Sequence, residues 1–261
     1  MPRTALLVLA LAIVLAGCGS STSDDAAPST TAAPASGGAS GDGSGEATDT
    51  GPEREATAAP EWVVHDGGPD CQCADGSEYQ FLSRTADPAK VVLYFEGGGA
   101  CFSAETCGFV GGTSTGQADA QRVADGEDAA GIFDFADEAN PLADWSFVYV
   151  PYCTGDVHIG TTTHAYADDL EVAHVGYLNG TVALDHLVDA FPGATEVLVT
   201  GSSAGGVPAP LFGGLVADRL PEAEVAVLAD GSGAYPDNPP VNAAIGGLWG
   251  TDGIEPGWES A

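Results

Sequence analysis

The chain has 261 residues, a formal net charge of −32 and a single lysine, Lys90. So large an excess of acidic side chains strongly disfavours a partner that is bound through its phosphate backbone, and we expect no nucleic-acid ligand. We interpret the charge as a solvated surface. The acidic run Asp125–Asp128 lacks the ligand spacing of a calcium loop, so no metal is predicted.

The first 18 residues have the features of an exported lipoprotein. Arg3 supplies a charged start, and Ala5–Ala16 is an uninterrupted apolar run of 12 residues, too short to cross a bilayer. Leu15-Ala16-Gly17-Cys18 resembles a bacterial lipobox. We therefore predict a signal peptide over residues 1–18 and an extracytoplasmic, membrane-anchored protein that is lipidated at Cys18. An ordinary cleaved signal, leaving a soluble protein, is the alternative.

Residues 19–60 are rich in Ser, Thr, Ala, Gly, Pro and Asp and contain almost no large apolar side chain. Such a segment cannot bury enough surface to offset the entropy of ordering it, so we predict a disordered tether. The predicted globular domain is then 61–261, which is long enough for one substantial core. It holds 31 acidic and four basic side chains, a net charge of −27.

Continuous apolar runs predict four strands: Val91–Phe95, Phe147–Val150, Glu196–Thr200 and Val225–Leu228. Runs without alternation indicate strands that are covered on both faces, as in a parallel sheet. Asp168–Phe191 has apolar residues at helical spacing, and Gly205–Leu220 is predicted to be partly helical. Strands alternating with helices predict an α/β fold with a mostly parallel sheet flanked by helices.

Two further segments show no strand pattern. The acidic, turn-rich stretch Asp125–Trp145 is predicted to be a long surface connection. Pro236–Ala261 contains Pro239-Pro240 and many glycines, and we expect neither a closing strand nor a terminal helix there.

A tight glycine turn follows the third predicted strand. Gly201-Ser202-Ser203-Ala204-Gly205 matches G-x-S-x-G, and a strand before it with a helix after it is the setting of a nucleophile elbow. The pattern predicts Ser203 as a nucleophile. A Gly/Ser loop without chemistry is the alternative, because short motifs also match by chance.

A second glycine-rich loop, Gly97-Gly98-Gly99, follows the first predicted strand. A serine nucleophile needs backbone N–H groups that stabilise the oxyanion, and glycine lets the backbone approach the substrate. We predict Gly98, Gly99 and Ala204 as the oxyanion donors. The two loops, each after its own strand, together make a stronger signal than either alone.

The predicted domain contains five cysteines: Cys71, Cys73, Cys101, Cys107 and Cys153. An exported protein is expected to use them for disulfide bonds rather than for metal or redox chemistry. Cys71-Gln72-Cys73 is also too close for a C-x-x-C metal site. Five is an odd number, so one thiol is predicted to lack a partner within this domain.

Four segments, in this order, resemble the pectin acetylesterase family. They are Tyr94–Cys101, the Asn140-Pro141 and Asp144-Trp145 pairs, Pro151–Gly160 and Gly201–Gly206. The resemblance implies an α/β-hydrolase-like fold and a cofactor-free carboxylester hydrolase with a Ser-Asp-His triad. It places the nucleophile at Ser203 and the oxyanion donors at Gly98, Gly99 and Ala204. It also implies a Cys101–Cys107 disulfide and the pairing of Cys153 with Cys73 or Cys71.

The histidines depart from the family's pattern. The five histidines, His65, His158, His164, His174 and His186, all precede Ser203. In this fold the acid and the histidine follow the serine. We expect that the sequence stops before the family's last strands, which would leave Val225–Leu228 as an exposed edge. The alternatives are an inactive homologue and a rearranged site in which an earlier histidine, such as His158, acts as the base.

The sequence therefore predicts a serine carboxylesterase of the pectin acetylesterase type that hydrolyses O-acetyl or O-acyl esters. Asp230 follows the fourth predicted strand and could contact the site, although the simpler interpretation is that it stabilises a turn or caps a helix. The charge disfavours a polyanionic substrate, so an acetylated neutral glycan or a small ester is expected. The alternative function is a membrane-tethered protein that binds a glycan or acyl ligand without turnover.

Overall fold

The computed structural model describes residues 61–108, 112, 116, 118–127, 129–233 and 238–256. They fall within one compact unit, Ala56–Ala261. The predicted signal peptide, the predicted lipidation site Cys18 and the predicted tether lie outside the described residues. Within the part of the chain that is described, no helix has the length and apolarity needed to cross a membrane.

Eight strands and four helices make up the described fold. The strands are β1 (Trp62–Asp66), β2 (Gln80–Arg84), β3 (Asp87–Phe95), β4 (Trp145–Val150), β5 (Thr162–Ala167), β6 (Leu170–His174), β7 (Glu196–Ser202) and β8 (Glu224–Asp230). The helices are α1 (Ala120–Ala124), α2 (Gly176–Ala190), α3 (Ala209–Arg219) and α4 (Pro239–Trp249). Short 3₁₀ turns occur at Gly131–Phe133, Ser203–Gly206 and Thr251–Gly253.

Six of the strands form one mixed sheet in the order β1-β2-β4-β3-β7-β8. The four strands β4, β3, β7 and β8 are mutually parallel, whereas β1 and β2 join them in antiparallel pairs. The parallel strands are those that the apolar runs predict. The predicted α/β-hydrolase-like fold is therefore confirmed.

Both faces of the central strands are covered, which explains their unbroken apolar sequence. Val91, Leu93 and Phe95 of β3 pack with α2 and α3 in the largest core cluster. On the opposite face, Tyr94 packs in a second cluster with side chains of α1 and the Gly131–Phe133 turn. A strand that is buried on both faces has no solvent-facing positions to alternate with.

The structure corrects two segments of the sequence prediction. The first third of Asp168–Phe191 is not helical: Leu170–His174 is β6, which pairs with β5 in a separate two-stranded sheet, and the helix begins only at Gly176. The expectation of no helix after Pro236 is wrong, because α4 occupies Pro239–Trp249. Its two prolines stand in the first turn, where backbone N–H groups have no partner within the helix to lose.

β8 is the edge strand of the described sheet, paired with β7 on one side. Its side chains Val227 and Leu228 are 46% and 57% exposed. Its C-terminal end, Asp230, stands opposite Ser202 of β7. The end of β8 therefore borders the turn that carries the predicted nucleophile.

Candidate active site

The carboxyl ends of the parallel strands bring the predicted site residues to one edge of the sheet. Phe95, the last residue of β3, is in register with Gly201 of β7 and with Val150 of β4. The glycine loop after β3 and the turn after β7 are therefore neighbours. This edge is where open α/β sheets bind their ligands, because the loops that follow the strands converge there.

Ser203 has the backbone conformation of a sharp elbow. Its φ is +53°, a left-handed value that is uncommon for a residue with a side chain. A side chain at Gly205 would overlap the carbonyl oxygen of Phe95, and one at Gly201 would overlap the carbonyl of Gly205. The turn therefore requires glycine at both positions, and Ser203 projects from a strained bend between a strand and a helix.

The glycine loop lies directly against this elbow. A Cβ atom placed on Gly97 would stand 3.2 Å from the Cβ of Ser203 and would overlap the Ser202 carbonyl oxygen. Gly99 has a φ of +83°, in the region that favours glycine. The absence of side chains thus allows the backbone of the loop to approach the serine.

Glu96 links the glycine loop to the neighbouring strand and helix. Its carboxylate accepts a hydrogen bond from the Tyr152 backbone N–H at 2.9 Å and lies 3.3 Å from Nη2 of Arg122. Burial raises the pKa of Glu96, while the hydrogen bonds from Tyr152 and the Tyr149 hydroxyl and the Arg122 charge oppose that shift. Glu96 therefore holds the start of the glycine loop to the segment after β4 and to α1.

The loop after β4, residues 151–160, is organised around a fully buried carboxylate. Asp156 accepts hydrogen bonds from the backbone N–H groups of His158, Gly160 and Gly176 and from the Thr154 hydroxyl. Gly176 is the first residue of α2, so the carboxylate also lies at a helix N-terminus, where negative charge is favoured. These contacts compensate for burying the charge.

Two consecutive residues of this loop adopt left-handed conformations. Val157 has a φ of +50° and His158 a φ of +59°. For a β-branched residue such as valine this is a genuine outlier, and it persists only where the surrounding contacts determine it. Two hydrogen bonds supply those contacts. The Val157 N–H donates to the Tyr152 hydroxyl, and the His158 N–H donates to the Asp156 carboxylate.

His158 is engaged by the glycine loop rather than by Ser203. Its ring is buried, and Nε2 lies 2.9 Å from the carbonyl oxygen of Glu96. Because a carbonyl oxygen can only accept, Nε2 carries the proton. Burial lowers the pKa of His158 to about 4, and the Glu96 carbonyl and the Asp156 charge only partly oppose that shift. The ring is therefore neutral near pH 7.

The buried ring of His158 should make stability depend on pH. The pKa of His158 lies at about 4 in the folded protein, below the ordinary 6.5 of the unfolded chain, so the unfolded state binds more protons between these values. Stability is then expected to fall as the pH decreases through this window, by up to about 3 kcal/mol for this group. In urea unfolding between pH 4 and 7, His158→Gln should show a smaller pH dependence than wild type. An equal dependence would contradict the assignment.

The other histidines also have partners away from the serine. His174 is bonded to the Tyr166 hydroxyl at 2.9 Å and to the Thr154 carbonyl at 2.8 Å. The rings of His65 and His186 lie 4.3 Å apart, between β1 and α2. All five histidines belong to the described residues, and none forms a hydrogen bond with Ser203 there.

The cysteines form two disulfide bonds next to these loops. Cys101 is joined to Cys107, and Cys73 is joined to Cys153. Of the two partners left open for Cys153, the structure therefore selects Cys73. Cys71 is a buried thiol outside a disulfide, and burial, reinforced by Asp70, raises its pKa to about 11.

One group of described side chains has the spacing of metal ligands: Cys101, Cys107 and His174. Both sulfur atoms are consumed by the Cys101–Cys107 disulfide, and both ring nitrogens of His174 have hydrogen-bond partners. Because a metal needs thiolates and a free imidazole nitrogen, this group does not fit a metal ion.

Sequence reasoning proposed Ser203, Gly98, Gly99 and Ala204, and the structure brings these residues to one edge of the sheet. It gave no role to Glu96, Tyr152 or Asp156, although they stand in the segments that carry the family resemblance. The signal that could have pointed to Tyr152 and Asp156 was their position in a loop that follows a strand of the sheet, where functional residues collect.

Comparison with known proteins identifies the family. Residues 54–245 match the family described as pectinacetylesterase. The palmitoleoyl-protein carboxylesterase NOTUM of Mus musculus is 32% identical over 176 residues, 64% of this chain and 34% of the mouse protein. The NOTUM of Homo sapiens is 31% identical over 176 residues, with the same shares covered. That of Schmidtea mediterranea is 31% identical over 146 residues, 52% of this chain and 26% of the planarian protein.

The chain spans about a third of the length of the curated relatives that it matches. The family match, in contrast, covers well over half of this chain and includes both glycine turns and the loop between them. The protein therefore belongs to the pectinacetylesterase family.

Proposed function

We propose that this protein is a serine carboxylesterase that hydrolyses O-acetyl or O-acyl esters. The observation that carries the proposal is the left-handed Ser203 at a strained bend, packed against the Gly97 backbone. A nucleophile in such a turn is exposed to substrate from one side and is next to backbone donors. The carboxylesterase names of the relatives give independent support.

In the proposed reaction the Ser203 hydroxyl attacks the ester carbonyl and displaces the alcohol, which leaves an acyl-enzyme that water hydrolyses. The N–H groups of Gly98, Gly99 and Ala204 are proposed to stabilise the oxyanion that forms at each step. A histidine base and an orienting carboxylate are also required, and the described residues bring no histidine to Ser203.

An apolar cleft supports an ester with an uncharged acyl or alcohol part. Ile159, Val207, Ile245 and Trp249 line a cavity of about 290 Å³. The same side chains form one cluster with Ala204, the residue after the proposed nucleophile. The strongly negative chain favours neutral over polyanionic substrates, so an acetylated neutral glycan or a small ester is the proposed substrate class.

The test is active-site labelling of the full-length protein, expressed from its complete reading frame. A fluorophosphonate probe should react with Ser203, and peptide fragmentation should distinguish it from the adjacent Ser202. The same preparation should hydrolyse p-nitrophenyl acetate, and the probe should abolish that hydrolysis. Labelling elsewhere, with hydrolysis intact, would overturn the assignment of the nucleophile.

A second candidate is a protein that binds a glycan or acyl ligand without turnover. The observation that favours it is the lack, among the described residues, of a histidine bonded to Ser203. It predicts no labelling and no hydrolysis, but retained binding of an acetylated oligosaccharide in calorimetry. Labelling of Ser203 would exclude it.

We also propose that the protein is lipid-anchored outside the cytoplasm. The two disulfide bonds fit an oxidising compartment, and the lipobox-like sequence before Cys18 supplies the anchor. Cells grown with labelled palmitate should incorporate the label into the wild-type protein and not into Cys18→Ala. Equal incorporation into both proteins would contradict the anchor, and a Cys71→Ala variant serves as the control for loss of a different thiol.

A further inference from the structure

Two side chains of the loop after β4 hold the glycine loop at both of its ends. His158 Nε2 donates to the carbonyl oxygen of Glu96 at 2.9 Å, just before the three glycines. The Tyr152 hydroxyl donates to the carbonyl oxygen of Gly99 at 2.9 Å, on the last of them. A single loop thus clamps the segment that contains the proposed oxyanion donors.

The positions of these bonds matter because each peptide unit is rigid and planar. The Glu96 carbonyl shares its plane with the Gly97 N–H, and the Gly99 carbonyl shares its plane with the Ala100 N–H. The two planes between them carry the N–H groups of Gly98 and Gly99. Glycine has wide conformational freedom, so these two planes keep one orientation only if the planes on either side are held.

Tyr152 is itself held firmly enough to act as a template. Tyr152 is 2% exposed, and its ring lies against Gly98, where an added Cβ would overlap the ring atom Cδ1. Its hydroxyl accepts from the Val157 N–H at 2.9 Å, and its own N–H donates to Glu96. Ring packing and hydrogen bonding thus act on adjacent glycines.

His158 is held by the buried carboxylate next to it. Asp156 accepts from the His158 N–H at 3.1 Å and from the Gly176 N–H at 2.8 Å, which ties the strained turn to the start of α2. The ring also packs 4.7 Å from the Tyr152 ring and 5.1 Å from that of Phe95. The orientation of the imidazole is therefore fixed independently of the glycine loop.

We propose that Tyr152 and His158 are positioning residues that orient the Gly98 and Gly99 N–H groups toward the oxyanion. This inference rests on the proposed esterase function. An oxyanion forms only in the reaction and not in the bound ester, so misaligned donors lower kcat and leave KM nearly unchanged. Removing one donor entirely costs about 10²–10³ in kcat, so partial misalignment should cost less.

The first test is Tyr152→Phe, which removes the hydroxyl and keeps the ring against Gly98. We expect kcat for p-nitrophenyl acetate to fall about tenfold, with KM within about twofold of wild type. Tyr166→Phe is the matched control, because it deletes a tyrosine hydroxyl bond of the same length, 2.9 Å, to His174. That control should keep kcat, and an equal fall in both variants would overturn the proposal.

The second test separates positioning from the esterase function, because it requires no turnover. Backbone ¹⁵N order parameters of Gly98 and Gly99 should be near 0.85 in wild type, the value of a rigid backbone, and should fall below about 0.7 in Tyr152→Phe. They should be unchanged in Tyr166→Phe. If wild type lacks hydrolysis while the order parameters fall, positioning stands and the esterase function fails. If hydrolysis occurs while kcat and the order parameters stay at wild-type values, positioning is wrong.

His158 provides a rescue experiment. His158→Leu deletes the donor to the Glu96 carbonyl, whereas His158→Gln retains a side-chain N–H that can reach it. Both place an ordinary residue at the same left-handed position, so backbone strain is matched between them. We expect kcat to fall in the leucine variant and to recover at least severalfold in the glutamine variant. Equal values in folded samples of both variants would contradict a role for the donor.

Discussion

Replacement of Ser203 by alanine is expected to lower kcat/KM for p-nitrophenyl acetate by about 10⁴-fold or more. The hydroxyl is the proposed attacking group, and alanine retains the Cβ atom beside Gly97, where the loop leaves no room for a side chain. The elbow and the donors therefore stay in place while the covalent step is lost. Initial-rate kinetics on the full-length protein measure this effect.

Ser202→Ala is the matched control for that experiment. Ser202 is the last residue of β7 and has an extended backbone, whereas Ser203 has the left-handed one. We expect its kcat/KM to stay within about threefold of wild type, since its half-buried hydroxyl forms no hydrogen bond among the described residues. If Ser202→Ala lost activity and Ser203→Ala kept it, the nucleophile would be reassigned by one position.

Removal of the Cys73–Cys153 disulfide is expected to cause the largest loss of stability. The two cysteines are 80 residues apart in sequence, so the bond closes a long loop in the unfolded chain. The chain-entropy account assigns about 4.5 kcal/mol to a loop of this length. Urea unfolding of Cys73→Ala/Cys153→Ala under oxidising conditions should show this loss of stability. A loss large enough to leave no folded protein at 37 °C would also agree with it.

The second disulfide supplies the matched comparison. Cys101 and Cys107 are only six residues apart, for which the same account gives about 2 kcal/mol. Cys101→Ala/Cys107→Ala should therefore unfold at a higher urea concentration than the Cys73/Cys153 double variant. The reverse order would show that local contacts, and not loop length, decide the contribution of each bond.

Much of the fold could be predicted from the sequence because the central strands are buried on both faces. The runs that contain Val91, Phe147, Val197 and Val225 are strands β3, β4, β7 and β8. The hairpin strands β5 and β6 were missed. β5 alternates between half-buried and exposed positions, and β6 is only five residues long with three buried positions, so neither leaves a strong apolar signal. Helix α4 was missed because Pro239-Pro240 resembles a helix breaker and instead starts the helix.

The residues of the candidate site likewise fall into those that the sequence predicts and those that it does not. Ser203 and the glycines of both turns have local signatures, because a sharp turn and a close backbone approach require particular residues at fixed spacing. The partners of those turns have no such signature. Glu96 is bonded to Tyr152, 56 residues away, and the His158 ring reaches back 62 residues to the Glu96 carbonyl. A rearranged site with His158 as base was one alternative from sequence, and the Glu96 contact gives the ring a different partner.

The sequence by itself determined the parallel strands, the two glycine turns, the proposed nucleophile and the family. Each is recognised from short segments of neighbouring residues, and the family from the order of four such segments. Only the tertiary structure decided which cysteine pairs with Cys153, what His158 binds, and how Tyr152 contacts the glycine loop. Those outcomes depend on strand order and register, which bring the ends of β3, β4 and β7 together. Hydrogen bonds act over about 3 Å, so their partners are set by that final arrangement and not by local residue patterns.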